Sequence, residues 1–258
     1  MPGPEVTEAI CLTVQKFSET SKIAVLYTRA WGRISVIAKG AFRPKSQFWG
    51  HLEPLSVSEC LVYKKPKEQI YLLSSCRALV PWVPLTVSLA QAGYSFGVAE
   101  FLYRFSFEDR DTDLYDLSRA ALVSFAKLPD AQLARQYWGY MLGALECLGF
   151  RPELEHCTSC DKAPSDDQIV VFDAAAGRII CRDCRESRTE GARPHRLSPA
   201  ALAELRQRQI KPILEPSEPI LENGTLDEIA ASVEDFARYH LGGSKIKSLD
   251  FARRMGTV

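Results

Sequence analysis

The chain has 258 residues, enough for one large domain or two to three small ones, and its 46% hydrophobic and 25% charged residues are an ordinary water-soluble composition. No apolar run approaches the ~20 residues that span a bilayer, and Met1-Pro-Gly-Pro-Glu-Val-Thr-Glu carries neither the basic leader nor the apolar core of a signal peptide, so a reduced, cytoplasmic protein with no membrane partner is expected. The formal net charge of zero is unevenly spread: Met1 to Val80 holds eleven Lys and Arg against six Asp and Glu (+5), Pro81 to Phe150 five against eight (−3), and the remainder sixteen against eighteen (−2).

The first eighty residues read as short strands. Ala9 to Val14 alternates inward and outward, and Lys22 to Tyr27, Arg33 to Ala38, Leu55 to Tyr63 and Gln69 to Leu73 follow. Five strands in about eighty residues suit a small closed barrel of the OB type; a small β-sandwich or an SH3-like barrel gives much the same pattern. From Pro81 the period changes. Val87 to Phe105 is apolar enough for a buried helix, and Leu114, Leu117, Ala121, Leu122, Phe125 and Leu128 line one face of a second, capped by Asp113 with Asp116 in its first turn. A third helix starts after Asp130, carries Leu133, Tyr137, Met141, Leu145 and Leu148, and stops at Gly149. Aromatic and Met stripes at this spacing are core.

Next come Cys157-x-x-Cys160 and Cys181-x-x-Cys184, with twenty residues between the pairs. Two residues between paired cysteines let both thiolates point into one tetrahedral site, and Ile169 to Phe172, the turn Asp173 to Gly177 and Arg178 to Ile180 form the hairpin that returns the second pair. Four sulfurs leave no open coordination position, so the spacing predicts one structural zinc ion, held in a ribbon inserted at roughly 151–190. His156 is an alternative ligand that four thiolates make unnecessary. Cys11, Cys60, Cys76 and Cys147 sit in apolar runs and read as buried small hydrophobes. Helices then resume: Ser198-Pro199 caps one that runs to Gln209, and after Pro212, Pro216 and Pro219 the sequence Thr225-Leu226-Asp227-Glu228 reads as a capping box for another, closed by Gly242-Gly243. The expected organisation is α+β and multidomain: an OB barrel (1–80), a helical domain in two parts (81–150 and 191–258), and the zinc ribbon between them (151–190).

Between Glu19 and Glu53 there is no acidic residue, while Lys22, Arg29, Arg33, Lys39, Arg43 and Lys45 fall inside that window. Such a surface favours a phosphate backbone, because each neutralised phosphate releases counterion. Trp31, Phe42, Phe48 and Trp49 are interleaved, and an exposed ring stacks unpaired bases. Trp31 and Phe42 fall in predicted turns, whereas Phe48 and Trp49 equally suit core anchors. The candidate DNA-binding set is Lys22, Arg29, Trp31, Arg33, Lys39, Arg43 and Lys45; the plainer reading is a solvated basic face. Lys64-Lys65-Pro66-Lys67 is a basic hairpin tip that serves solubility. No P-loop, dinucleotide fingerprint, His-Glu-x-x-His or nucleophile elbow occurs, and the His-x-Glu of zinc deaminases is missing, so no enzymatic constellation is expected.

Ser18 to Ser21 (SETS), Tyr27-Thr28 and Gly32 to Ser46 (GRISVIAKGAFRPKS), together with Leu241 to Met255 (LGGSKIKSLDFARRM) at the other end, resemble the RecO family of bacterial recombination mediators. Ser75-Cys76 and Leu249 depart from the family's pattern and put only local contacts in doubt. The resemblance implies an OB fold that binds single- and double-stranded DNA, anneals complementary strands, and acts with RecR to load RecA onto DNA coated by single-strand-binding protein. It also implies a helical domain that receives that protein's C-terminal tail, and a nucleoid-associated location. The rival is a zinc-ribbon transcription or translation factor that touches nucleic acid through Arg178, Arg182, Arg185 and Arg188. A nuclease or glycosylase would need clustered carboxylates near the basic face, which the acid-free window removes.

Overall fold

Strands β1 (Glu5–Lys16), β2 (Lys22–Thr28), β3 (Gly32–Ala38), β4 (Val57–Tyr63) and β5 (Ile70–Val80) form a closed barrel in the order β1-β2-β3-β5-β4. The computed structural model describes residues 3–64, 68–80, 88–187, 194–243 and 246–248, with the side chains of 185–187 left aside. β1 is long enough to pair with both β2 and β4, and a register shift between Cys11 and Thr13 bends it from one neighbour to the other. β3 and β5 run parallel, which closes the barrel in the OB manner and separates it from the sandwich alternative. Strict alternation along β3 turns Ile34, Val36 and Ala38 inward. They meet Ala9, Cys11, Ala24, Leu26, Cys60, Val62, Leu73 and Cys76, mostly small side chains that fit a five-stranded interior. Burial pushes the Cys60 thiol up and that of Cys76 to about 12, so these are packed thiols rather than nucleophiles.

Two compact units divide the chain: Met1–Lys127 with Ile246–Val258, and Leu128–Lys245. In the first, helix α1 (Leu89–Phe105) begins at a capping box in which Ser88 and Gln91 satisfy each other's backbone. Helix α2 (Thr112–Phe125) is capped by Asp111, whose carboxylate accepts from Leu114 N at 2.9 Å. Asp113, expected as the cap, lies in the first turn, because the extended residue that opens the helix is Asp111. Gly32 has φ +66, and a Cβ there would meet Phe107 O at 2.6 Å, so this turn needs glycine. Glu100 on α1 accepts from Lys247 N (3.0 Å), Ser248 N and Ser248 Oγ (both 2.8 Å), which ties the closing Lys-Ser motif to α1.

In the second unit, helix α3 (Asp130–Cys147) leads into a four-stranded sheet of β6 (Glu153–Cys157), β7 (Val170–Asp173), β8 (Arg178–Ile180) and β9 (Pro194–Leu197), ordered β6-β8-β7-β9. The hairpin read from the sequence is therefore the centre of a larger sheet. Ser198 caps α4 (Pro199–Ile210) with Pro199 at its first position, as its sequence predicts. Helix α5 starts at Asn223 and runs to His240, and Thr225 does not cap it. Glu228, expected to close that box, instead accepts from Ser198 N at 2.7 Å, where it helps start α4. The proline-spaced connection leaves carbonyls that its chain cannot pair, and α3 supplies donors: Arg135 reaches Pro219 O at 2.7 Å and Gln136 reaches Pro212 O at 3.3 Å. Arg135 also pairs with Glu204 at 2.7 Å, and Arg208 with Glu218 at 2.7 Å, so two arginines and two carboxylates neutralise each other within the unit.

Candidate nucleic-acid interface and metal centre

The connection from β3 to β4 is a run of turns. Arg43 N donates to Gly40 O, Ser46 N to Arg43 O and Trp49 N to Ser46 O, at 3.0–3.2 Å. Gly40 (φ +77) and Gly50 (φ +72) supply conformations that side chains resist. The loop is not loose, because Phe48 and Leu52 are buried in the barrel core. Its charged residues point outward: Lys39, Arg43 and Lys45 are exposed, and no carboxylate occurs from Lys39 to Leu52. Among the described residues none of the three takes part in an ion pair. Phe42 is exposed beside them, and Trp49 is the barrel's most exposed tryptophan.

The other members of the sequence-derived set have partners. Lys22 is largely covered and pairs with Glu53 at 2.7 Å, its ammonium 5.3 Å from the Phe42 ring centroid. Arg29 makes a two-pronged contact with Asp116 on α2 at 2.9 and 2.8 Å, and that guanidinium holds the Asp116 carboxyl below its ordinary range. Arg33 donates to Tyr103 O and lies 5.8 Å from the Tyr103 ring. Trp31 is half-buried against the barrel core, with the Lys64 ammonium 4.8 Å from its centroid. Thus the structure gathers Lys39, Arg43 and Lys45 on one free loop and places Lys22, Arg29, Trp31 and Arg33 in contacts within the unit. Lys65 and Lys67 lie outside the described residues.

Four cysteines converge in the second unit. The Sγ atoms of Cys157, Cys160, Cys181 and Cys184 all lie within 4.8 Å of one another, and no other metal-competent group of this kind occurs among the described residues. Cys157 ends β6, Cys181 follows β8, and a 3-10 turn over Arg182–Ser187 carries Cys184. The turn after Cys157 folds back through Asp161 N to Cys157 O (2.9 Å), with Asp161 at φ +57. A tetrahedron of ~2.3 Å metal–sulfur bonds has edges of about 3.8 Å, and Cys160 and Cys181 are 3.8 Å apart. Burial raises the Cys157 thiol, but the backbone N–H groups of Cys181, Ser159 and Cys160 outweigh it and bring the group down to about 6. The neighbouring Cys181 and Cys160 side chains push Cys184 up to about 12. Such thiols ionise together only when a cation offsets their charge, so the donor set fits a thiophilic divalent metal. His156 is exposed and lies beside Glu153 rather than in the cluster. Arg178 and Arg182 are exposed on the ribbon, while the Arg185 side chain and Arg188 lie outside the described residues.

Among the described residues no helix is long and apolar enough to cross a membrane. Residues 1–82 match the family model for the recombination protein O N terminal domain, and residues 88–250 that for the recombination protein O C terminal domain. The chain is 26% identical over 258 residues to the DNA repair protein RecO of Syntrophus aciditrophicus, covering 97% of this chain and 96% of that one. It is 26% identical over 251 residues to RecO of Caldanaerobacter subterraneus subsp. tengcongensis, covering 96% and 97% of the two chains. Against RecO of Rhodopirellula baltica the identity is 31% over 214 residues, covering 81% and 76%. With both halves of the family matched in order along one chain, this protein belongs to the RecO family of DNA repair proteins.

Proposed function

We propose that this protein is a recombination mediator that binds single- and double-stranded DNA, anneals complementary strands and, with RecR, promotes RecA loading on single strands coated by single-strand-binding protein. The observation that carries the reading is the loop cation set: Lys39, Arg43 and Lys45, exposed and without a carboxylate partner among the described residues. Two strands that approach to pair repel through their phosphates, and fixed cations lower that barrier. No bond is made or broken in this process, so the protein acts as a mediator rather than an enzyme. The helical domain receives the C-terminal tail of the single-strand-binding protein, and the protein works in the cytoplasm at the nucleoid. One zinc ion in the four-thiolate site holds the ribbon's shape and takes no part in chemistry, since four sulfurs leave it no open position.

Charge reversal at Lys39, Arg43 and Lys45 together tests the reading. The expected result is weaker binding of oligonucleotides, with the log-log salt slope for single strands flattened by about 0.7 per lost phosphate contact, about 2 for the three. Unchanged affinity and slope in a folded triple variant would reject this surface.

A further inference from the structure

We infer that Trp49 is a stacking platform for unpaired bases, which adds to the β3–β4 loop one contact selective for single strands. The inference rests on the DNA-binding reading above and adds to it a residue absent from the sequence-derived set.

Two neighbours in sequence are treated oppositely. Phe48 is 3% exposed and Trp49 is 69% exposed. Phe48 and Leu52 fasten the segment to the barrel core, and Gln47 Nε2 donates to Ser74 O on β5. His51 N and Leu52 N both donate to Phe48 O at 3.2 Å. The indole is therefore carried on a fixed backbone, which reduces the ordering cost of binding. The next residue, Gly50, has φ +72, and a Cβ built there would meet nothing within 4 Å outside its chain neighbours, so the backbone that follows Trp49 is uncrowded.

Three other rings of this unit, those of Trp31, Phe42 and Tyr103, already carry cations. Lys64 sits over Trp31, Lys22 over Phe42 and Arg33 over Tyr103. Trp49 has neither a cation nor a ring partner among the described residues, so its π faces are uncommitted. The same loop carries Lys39, Arg43 and Lys45, and a strand whose phosphates follow these cations brings its bases to the ring. In a duplex the faces of the bases are already covered by their neighbours; in a single strand they are available. Stacking also uses the face of a base and leaves its pairing edge free, so a base held on Trp49 can still meet its complement.

The test uses the full chain as wild type, Trp49→Ala, Trp49→Phe and the loop charge-reversal triple. Affinity for an oligothymidylate and for a duplex of equal length is measured across a salt series. Expected for Trp49→Ala is a loss of about 5- to 150-fold for the single strand, equivalent to about 1 to 3 kcal/mol for one stacked base. Its duplex affinity and salt slope should stay at wild-type values, and Trp49→Phe should recover most of the loss. Oligothymidylate should quench tryptophan emission in wild type by an increment that Trp49→Phe lacks. Single-strand affinity of Trp49→Ala within twofold of wild type, with the wild-type salt slope intact, overturns the platform and leaves the DNA-binding reading standing. Absence of salt-dependent binding in wild type removes that reading and this inference together.

Discussion

The β3–β4 loop and the α3–α4 interface use the same residue type in opposite ways. On the loop, Lys39, Arg43 and Lys45 stand in solvent with no carboxylate among them. Between α3 and α4, Arg135 and Arg208 are almost wholly buried, and Glu204 and Glu218 accompany them. Burying a charge costs several kcal/mol, so the interior arginines require carboxylates within about 3 Å, while the loop residues pay no such cost and stay available to an outside anion. What separates solvent-facing cations from a structural network is therefore the distribution of acid around them, more than their number.

The four-cysteine site should show the largest response, because thiolates gathered around the proposed cation resemble the buried arginine network with the signs exchanged. Cys181→Ser together with Cys184→Ser should abolish zinc binding and lower the thermal midpoint of the second unit, since structural zinc contributes about 10 to 16 kcal/mol of binding free energy to small metal-folded domains. Elemental analysis of the wild type should find about one zinc per chain; substantially less breaks the equivalence. DNA binding through the barrel loop should change only indirectly.

The buried network comes next. Glu204→Ala removes one of the two carboxylates that Arg135 and Arg208 share, the other being Glu218, and the expected destabilisation is about 3 to 5 kcal/mol in denaturant unfolding. A cycle with Arg135→Ala sharpens the point, because the double variant should cost less than the sum of the two single ones. Additive costs would mean that Arg135 is held by its Pro219 carbonyl contact instead.

The sequence makes local features legible and leaves long-range pairing hidden. The cysteine spacing announces its own cluster because two residues between thiols dictate a shared site. The five strands show in their alternation, and Ser198-Pro199 starts a helix where its chemistry says it should. Asp111 against Asp113 is a choice between adjacent acids that pattern alone does not make, and Glu228 fits a local box yet serves Ser198, thirty residues away. The basic window shows the same limit. It is free of acid in sequence, but Asp116 lies 87 residues from Arg29 and Glu53 lies 31 from Lys22, and in space they fill the gap. Phe48 and Trp49 are equivalent as text; only the barrel core decides which one goes inside.

A smaller effect concerns the Glu100 contact that ties Lys247 and Ser248 to α1. Burial raises this carboxyl, but the N–H groups of Ser248 and Lys247, the Ser248 hydroxyl and Arg104 outweigh it and hold the group below its ordinary value of 4.5. A carboxyl depressed in the folded state adds stability that is complete above its unfolded value and is lost as pH falls through the folded one. The stability of wild type over Glu100→Gln should therefore be constant from neutral pH down to about 5 and shrink on further acidification. A difference that grows below pH 5 would contradict the contact.

The smallest expected effect belongs to Arg29 and bears most directly on the contrast between free and committed cations. Its two-pronged pair with Asp116 must open before a phosphate can take the guanidinium, so on the proposed function a bound strand should gain little from it. Arg29→Gln should leave oligonucleotide affinity within about twofold and the salt slope unchanged, whereas a cation that contacts phosphate would take about 0.7 of the slope with it. Asp116→Asn supplies the opposite test: freeing Arg29 should add a cation to the surface, and affinity should rise at low salt. If Arg29→Gln lowers the slope while Asp116→Asn does nothing, the pair opens readily and the boundary between the free loop and the committed arginines moves back to β2.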